Sequence, residues 1–141
     1  MKTVYLDTNI LIYLSQPHSD FFIVSSQVLE LAVKENYRII TSSFGFAEYA
    51  TLRDAGSLET EVDELFTAGQ IIELPFGHPE AELFASLRLK HGKKLHPIDA
   101  VHIATAGVAN ADYFVTNDKV LTNLVDTKVT IITPSIFVGS V

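Results

Sequence analysis

Along the chain, hydrophobic positions fall into compact runs separated by stretches of helical spacing. The runs around Val4-Tyr5-Leu6, Ile39-Ile40-Thr41, Ile71-Ile72, Tyr113-Phe114-Val115 and Ile131-Ile132 are rich in β-branched and aromatic residues, and they predict strands over 3–6, 38–41, 71–74, 113–116 and 129–132. The intervening stretches predict a short helix near 10–14 that Pro17 ends, a long one over 20–35, and helices over 43–55, 58–68, 79–91, 97–108 and 119–125. Ser42-Ser43 supplies an N-cap, Gly56 and Gly92 mark helix ends, and Pro97 suits a first turn. Strands separated by helices predict an α/β fold with a mostly parallel central sheet flanked by helices on both sides. No linker, repeat or low-complexity stretch divides the 141 residues, so positions 1–141 read as one domain.

Four carboxylates stand out against this pattern. Asp7 closes the first strand and is followed by Thr8 and Asn9. All three are favoured N-caps, but a helix needs one, and Thr8 or Asn9 can serve. Asp7 is then left at the carboxyl end of a strand, where open α/β sheets bind ligands. Glu48 lies on the helical stripe Phe44, Ala47, Glu48, Thr51, Leu52 and Ala55. Packing through that stripe buries a carboxylate that needs a partner or a cation. Packing through Phe46, Tyr49 and Ala50 leaves it wet, and the sequence keeps both faces open. Asp99 in a first turn and Asp118 ahead of a helix each have an ordinary explanation in the helix dipole and in capping.

The predicted topology changes the weighing, because it gathers all four at one edge. Asp7 and Asp118 follow strand ends, Glu48 rides a helix leaving a strand's carboxyl end, and Asp99 opens a helix running antiparallel to the next strand. Two like charges ~4 Å apart repel by about 4 kcal/mol at an effective dielectric near 20. Such a cluster calls for cations, and an all-oxygen donor set favours Mg²⁺ or Mn²⁺ over structural zinc.

Composition narrows the options further. There is no cysteine, which excludes a disulfide scaffold, a thiolate zinc site and a cysteine nucleophile. The net charge of −7, from 10 basic and 17 acidic side chains, argues mildly against nonspecific binding of polyanions yet is compatible with carboxylates that hold cations. No apolar run approaches the ~18 residues of a membrane span. Only Lys2 separates the start from the first strand, so no signal peptide is expected and a cytoplasmic location without a membrane partner is. Arg88, Lys90, Lys93 and Lys94, interleaved with His91 and His96, form the one basic concentration. It leads into the Asp99 helix, where it can hold RNA phosphates or simply complement a helix C-terminus. His102, one turn beyond Asp99, reads as packed against the sheet or facing the site.

The stretches Leu6-Asp7-Thr8-Asn9, Ser43 to Leu52 with Glu48, Pro97-Ile98-Asp99-Ala100-Val101-His102-Ile103-Ala104-Thr105-Ala106 and Val115-Thr116-Asn117-Asp118 come in an order that resembles the PIN-domain family. Within it the chain resembles the small VapC-type ribonucleases of toxin–antitoxin pairs, over nearly its whole length. The resemblance implies a Mg²⁺- or Mn²⁺-dependent endoribonuclease whose catalytic and metal-binding acids are Asp7, Glu48, Asp99 and Asp118, supported by Asn9 and the Thr116 hydroxyl. It implies an RNA substrate, a cognate antitoxin and a homodimer. The expected reaction is hydrolysis of a phosphodiester to 5′-phosphate and 3′-hydroxyl ends. Two features depart from the family: no proline precedes Glu48, and no further acid follows Asp118.

Other readings fit less well. A haloacid-dehalogenase-type phosphatase needs a second Asp where Asn9 stands. A receiver domain needs an acidic pair in its first loop, and a dinucleotide-binding domain needs a glycine-rich turn after strand one. A catalytically silent module that binds RNA or protein is the alternative from another class.

Overall fold

The computed structural model describes residues 1–54 and 61–140. Five strands, β1 (Thr3–Leu6), β2 (Arg38–Ser42), β3 (Ile71–Leu74), β4 (Tyr113–Val115) and β5 (Thr130–Ile132), form a sheet of order β3-β2-β1-β4-β5. Every pairing is parallel, with Val4 opposite both Ile39 and Tyr113. Among the described residues the sheet is thus entirely parallel, and it is covered on both faces as such sheets must be. The pleat divides β1 between two cores. Val4 and Leu6 pack with Ile10, Leu11, Val28, Tyr49 and Phe137 on one side, while Tyr5 packs with Leu87, Ile103, Ala104 and Phe114 on the other.

The helices are α1 (Thr8–Leu14), α2 (Phe22–Lys34), α3 (Ser43–Asp54), α4 (Glu61–Thr67), α5 (His78–His91), α6 (Pro97–Val108), α7 (Lys119–Thr122) and α8 (Pro134–Gly139), with a 3₁₀ turn over Gly92–Lys94. Pro97 opens α6 at its first turn as expected, behind a His96 cap whose ring nitrogen accepts from the Ile98 amide. Residues 100–107 of α6 are all buried, which its unbroken run of small and apolar side chains allows.

The structure adds one element, decides one choice the sequence left open and corrects one expectation. The chain does not finish at β5, because Thr133 caps a further helix, α8, whose Phe137 is fully buried. Helix α3 does not pack through Phe44 and Leu52, which are 42% and 45% exposed, but through Gly45 and Tyr49. The reason is volume, since Tyr49 fills a core that the other face leaves to solvent. Asp7 is not spare, because it is itself the cap of α1, accepting from the Thr8 amide at 2.8 Å. The expected stop at Gly56 and the first residues of the expected 58–68 helix lie outside the described residues.

Candidate active site

Asp7, Glu48, Asp99 and Asp118 line one pocket at the carboxyl edge of the sheet, together with Thr8, Asn9, Ile12, Ile98 and His102. Each acid arrives on a different junction: the β1–α1 turn, the second turn of α3, the first turn of α6 and the β4–α7 turn. Parallel strands bring Asp7, Glu48 and Asp118 together, because each strand ends at the same edge and passes its chain into a helix there. Asp99 arrives at the start of α6, which follows the 3₁₀ turn and leads to β4.

Asp7 is 5% exposed and the most tightly held of the four. Its Oδ1 accepts from the Thr8 amide, and its Oδ2 accepts from the Thr116 hydroxyl at 2.8 Å and from Asn9 Nδ2 at 3.3 Å. Asn9 also donates to Thr116 Oγ1 at 3.1 Å and accepts from the Asn117 amide at 3.2 Å, which ties the β1–α1 turn to the β4–α7 turn. Burial pushes the Asp7 carboxyl up despite these donors. Asp118 spends one oxygen on the cap of α7, where Oδ1 accepts from the Val120 amide at 2.9 Å. Among the described residues, no hydrogen bond reaches its other oxygen.

Asp99 is half-buried, and its carboxyl is pushed up to about 6, first by burial and then by the charges of Asp7 and Asp118. Glu48 shows the opposite shift. Its carboxyl is held below the usual range, chiefly by the hydrogen bond from His102, with Thr8 adding to it. The backbone of Glu48 lies on an exposed part of α3, but its Oε1 reaches Thr8 Oγ1 at 2.7 Å and His102 Nε2 at 3.0 Å. Neither face weighed from the sequence describes this arrangement. The helix packs through the other stripe, and the carboxylate still turns into the site.

His102 answers both of its readings at once. It is 1% exposed, packed against the sheet, and it lines the pocket. Sequence reasoning did not single out Thr8, Tyr5, Ser42 or Gly45 as neighbours of the site. The signal for His102 was a lone polar ring inside an otherwise apolar helix, which must find buried partners.

Gly45 is what lets α3 come close enough for Glu48 to reach inward. A Cβ there would lie 2.6 Å from Thr41 Oγ1 and 3.4 Å from His102 Cε1. Thr41 is fully buried and donates to the Leu6 carbonyl at 3.0 Å, so it has little freedom to yield. Gly45→Ala is expected to cost about 1–3 kcal/mol by overpacking, read as a lower midpoint in denaturant unfolding. An unchanged midpoint would show that α3 is free to shift outward.

The basic residues are placed differently. Arg88 is engaged with the Gly92 and Leu95 carbonyls, and Lys90 Nζ lies 3.5 Å from the Asp126 carbonyl. Both hold chain turns together. Lys93 and Lys94 stand exposed on the 3₁₀ turn that leads to Asp99.

The donor set suits a hard divalent cation. It offers carboxylate oxygens from four junctions, and Glu48, Asp99 and Asp118 each keep an oxygen that no hydrogen bond reaches among the described residues. Among the described residues no group of three or more Asp, Glu or His side chains already stands at ligand geometry.

No curated protein matches the chain. Among solved structures, it is similar to the one described as VapBC2 from Rickettsia felis bound to a DNA fragment from their promoter, with a TM-score of 0.72 and 20% identity over 93% of this chain and 98% of that one. It is similar to a toxin–antitoxin complex from Klebsiella pneumoniae, with a TM-score of 0.69 and 20% identity over 94% of this chain and 98% of that one. It is also similar to FitAcB from Neisseria gonorrhoeae, with a TM-score of 0.65 and 24% identity over 94% of this chain and 99% of that one. At these identities the likeness establishes the fold. The PIN domain matches residues 4–126, a span that runs from β1 through α7 and takes in all four pocket carboxylates, and the protein belongs to the PIN domain family.

Proposed function

We propose that the chain is a metal-dependent endoribonuclease and the toxin of a toxin–antitoxin pair. The observation that carries this reading is the convergence of Asp7, Glu48, Asp99 and Asp118 on one pocket from four separate junctions. A structural role asks for none of them to share an edge. The toxin role draws support from the solved structures of like fold, two of which are described as a toxin–antitoxin complex or as VapBC2 on promoter DNA.

The residues divide the work as follows. Asp7, fixed by Thr8, Asn9 and Thr116, would be the rigid ligand for Mg²⁺ or Mn²⁺. Asp99 and Asp118 would complete the oxygen set, and Glu48 would offer the oxygen that the protein leaves free. Such a cation would supply Lewis acidity for activating water and for stabilising charge on the phosphodiester. Lys93 and Lys94 draw in the RNA backbone. The expected products carry 5′-phosphate and 3′-hydroxyl ends. An antitoxin, a second copy of the chain and a cytoplasmic setting belong to the same reading.

The test is RNA cleavage by the purified chain with Mg²⁺ or Mn²⁺ and after chelation. Cleavage that chelation abolishes, and that a neighbouring short reading frame's product silences, supports the proposal. Cleavage indifferent to chelation overturns the metal role, and partner binding without any cleavage would leave a silent binding module. A parallel readout needs no RNA. Saturating Mn²⁺ at ~100 times its dissociation constant is expected to stabilise the fold by about 2.7 kcal/mol, seen as a higher Tm.

A further inference from the structure

His102 is the one buried group at the site whose ring makes contacts on both nitrogens. Nε2 lies 3.0 Å from Glu48 Oε1 and 3.3 Å from Thr8 Oγ1. Nδ1 lies 2.6 Å from the Tyr5 hydroxyl and 3.2 Å from Ser42 Oγ. A carboxylate oxygen can only accept, so Nε2 carries a hydrogen. On the other side stand two hydroxyls. Tyr5 is fully buried, its oxygen is also engaged by Ser42 and Thr41, and its hydrogen has Nδ1 as an acceptor 2.6 Å away. Ser42 Oγ accepts from the Gly45 amide at 2.9 Å, which leaves its own hydrogen for Nδ1 or the Tyr5 oxygen. Glu48 thus fixes a hydrogen on Nε2, and the hydroxyls at Nδ1 stand where they can donate to it.

The consequence falls on Glu48. Its Oε1 accepts from both Thr8 Oγ1 and His102 Nε2, while among the described residues no hydrogen bond reaches Oε2. One oxygen is consumed by the protein and the other is left for the pocket. We infer that His102 is a positioning residue, held by Tyr5 and Ser42 with its hydrogen on Nε2, which together with Thr8 locks Glu48 so that it offers a cation a single oxygen, Oε2. The chain from Tyr5 through His102 to Glu48 links β1, α6 and α3, three elements far apart in sequence. Gly45 packs against the same ring and admits no side chain in between. A partner of this kind acts through the ligand it orients, and losing one typically costs 10–100-fold in metal affinity or activity.

The tautomer is tested first, on the intact wild-type chain, by ¹⁵N-histidine NMR at neutral pH. A hydrogen on Nε2 is the expected result. A ring whose hydrogen sits on Nδ1 alone overturns the inference. This readout needs neither metal nor RNA, so it separates the inference from the proposed nuclease reading on which its functional half rests. The second arm measures Mn²⁺ affinity by calorimetry in three chains. His102→Leu is expected to weaken binding by about 10–100-fold. His102→Gln places an amide N–H near the position of Nε2 and is expected to recover most of that loss. Equal affinity in wild type and His102→Leu, or equal loss in Leu and Gln with both chains folded by circular dichroism, overturns the positioning role. Wild type that binds no Mn²⁺ sinks the metal reading itself and leaves the tautomer result standing by itself.

Discussion

Asp99→Asn is expected to raise the Tm of the metal-free protein while lowering RNA cleavage by more than the ~100-fold that marks the loss of a ligand's supporting partner. The two effects have one cause. Asp99 is a half-buried carboxyl pushed up to about 6 by burial and by Asp7 and Asp118, so near neutral pH it is ionised against its surroundings. Asparagine keeps the shape and removes the charge. The sign follows from linkage. In the folded chain the group holds its proton more tightly than its ordinary value of 3.8 allows, so its favourable contribution is complete below about 4 and is lost as pH rises to about 6. Above that the penalty is constant. Without metal, the wild-type Tm should fall across this window more steeply than that of Asp99→Asn, and added Mn²⁺ should lift wild type far more. Scanning calorimetry at pH 4, 5 and 7, with and without chelator, reads all of this. A variant that cleaves like wild type, or one less stable than wild type without metal at pH 7, would remove Asp99 from the site.

The largest effect on stability is expected at the opposite edge of the sheet. Phe137 of α8 is fully buried and stands edge-on to Tyr37 at 5.5 Å and to Tyr113 at 5.8 Å. These tyrosines precede β2 and open β4, at the amino edge, away from the carboxylates. Phe137→Ala is expected to cost about 3–5 kcal/mol through lost burial and the cavity left behind. Denaturant unfolding should show an earlier midpoint with an unchanged slope, and Mn²⁺ affinity measured well below the Tm should stay at the wild-type value. A loss under about 1 kcal/mol would mean that α8 packs loosely and that the core closes without it.

How much of this the sequence disclosed depends on the distance over which each feature is decided. Strands and long helices are written in local periodicity, which is why β1 and β3 fall on their expected residues. Helix α8 is six residues long, too short to show a period, and the sequence pattern predicts no element after the strand at 129–132. Its true signal was Thr133-Pro134, a cap followed by a proline at the first helical position. The face of α3 was undecided because two stripes carried comparable apolar content. What settles it is the partner, a core with room for Tyr49 and a crevice that only Gly45 can enter.

The site divides in the same way. That four acids share an edge was legible, because topology alone places strand ends together. How each is held was not. The bonds from Thr8 and His102 to Glu48 span 40 and 54 positions, and the bond from Tyr5 to His102 spans 97. Nothing local marks such pairs. Asp7 shows the limit from the other side, since capping and site lining were weighed as rivals, yet one carboxylate accepts from the Thr8 amide and still faces the pocket.

The place of β1 in the middle of the sheet has a bearing on how the protein is made. The first strand of the domain in chain order is flanked on one side by β2, and on the other by β4, which pairs Tyr113 with Val4. A growing chain can zip β1 to β2 and β3 early, but it then carries only Asp7 and Glu48. Thr116, which steadies Asp7, and the remaining acids Asp99 and Asp118 are still to come. At synthesis rates of ~5–20 residues per second, that interval lasts seconds. On the proposed ribonuclease reading, such a schedule would keep each unfinished copy inert beside the message and ribosome that are producing it.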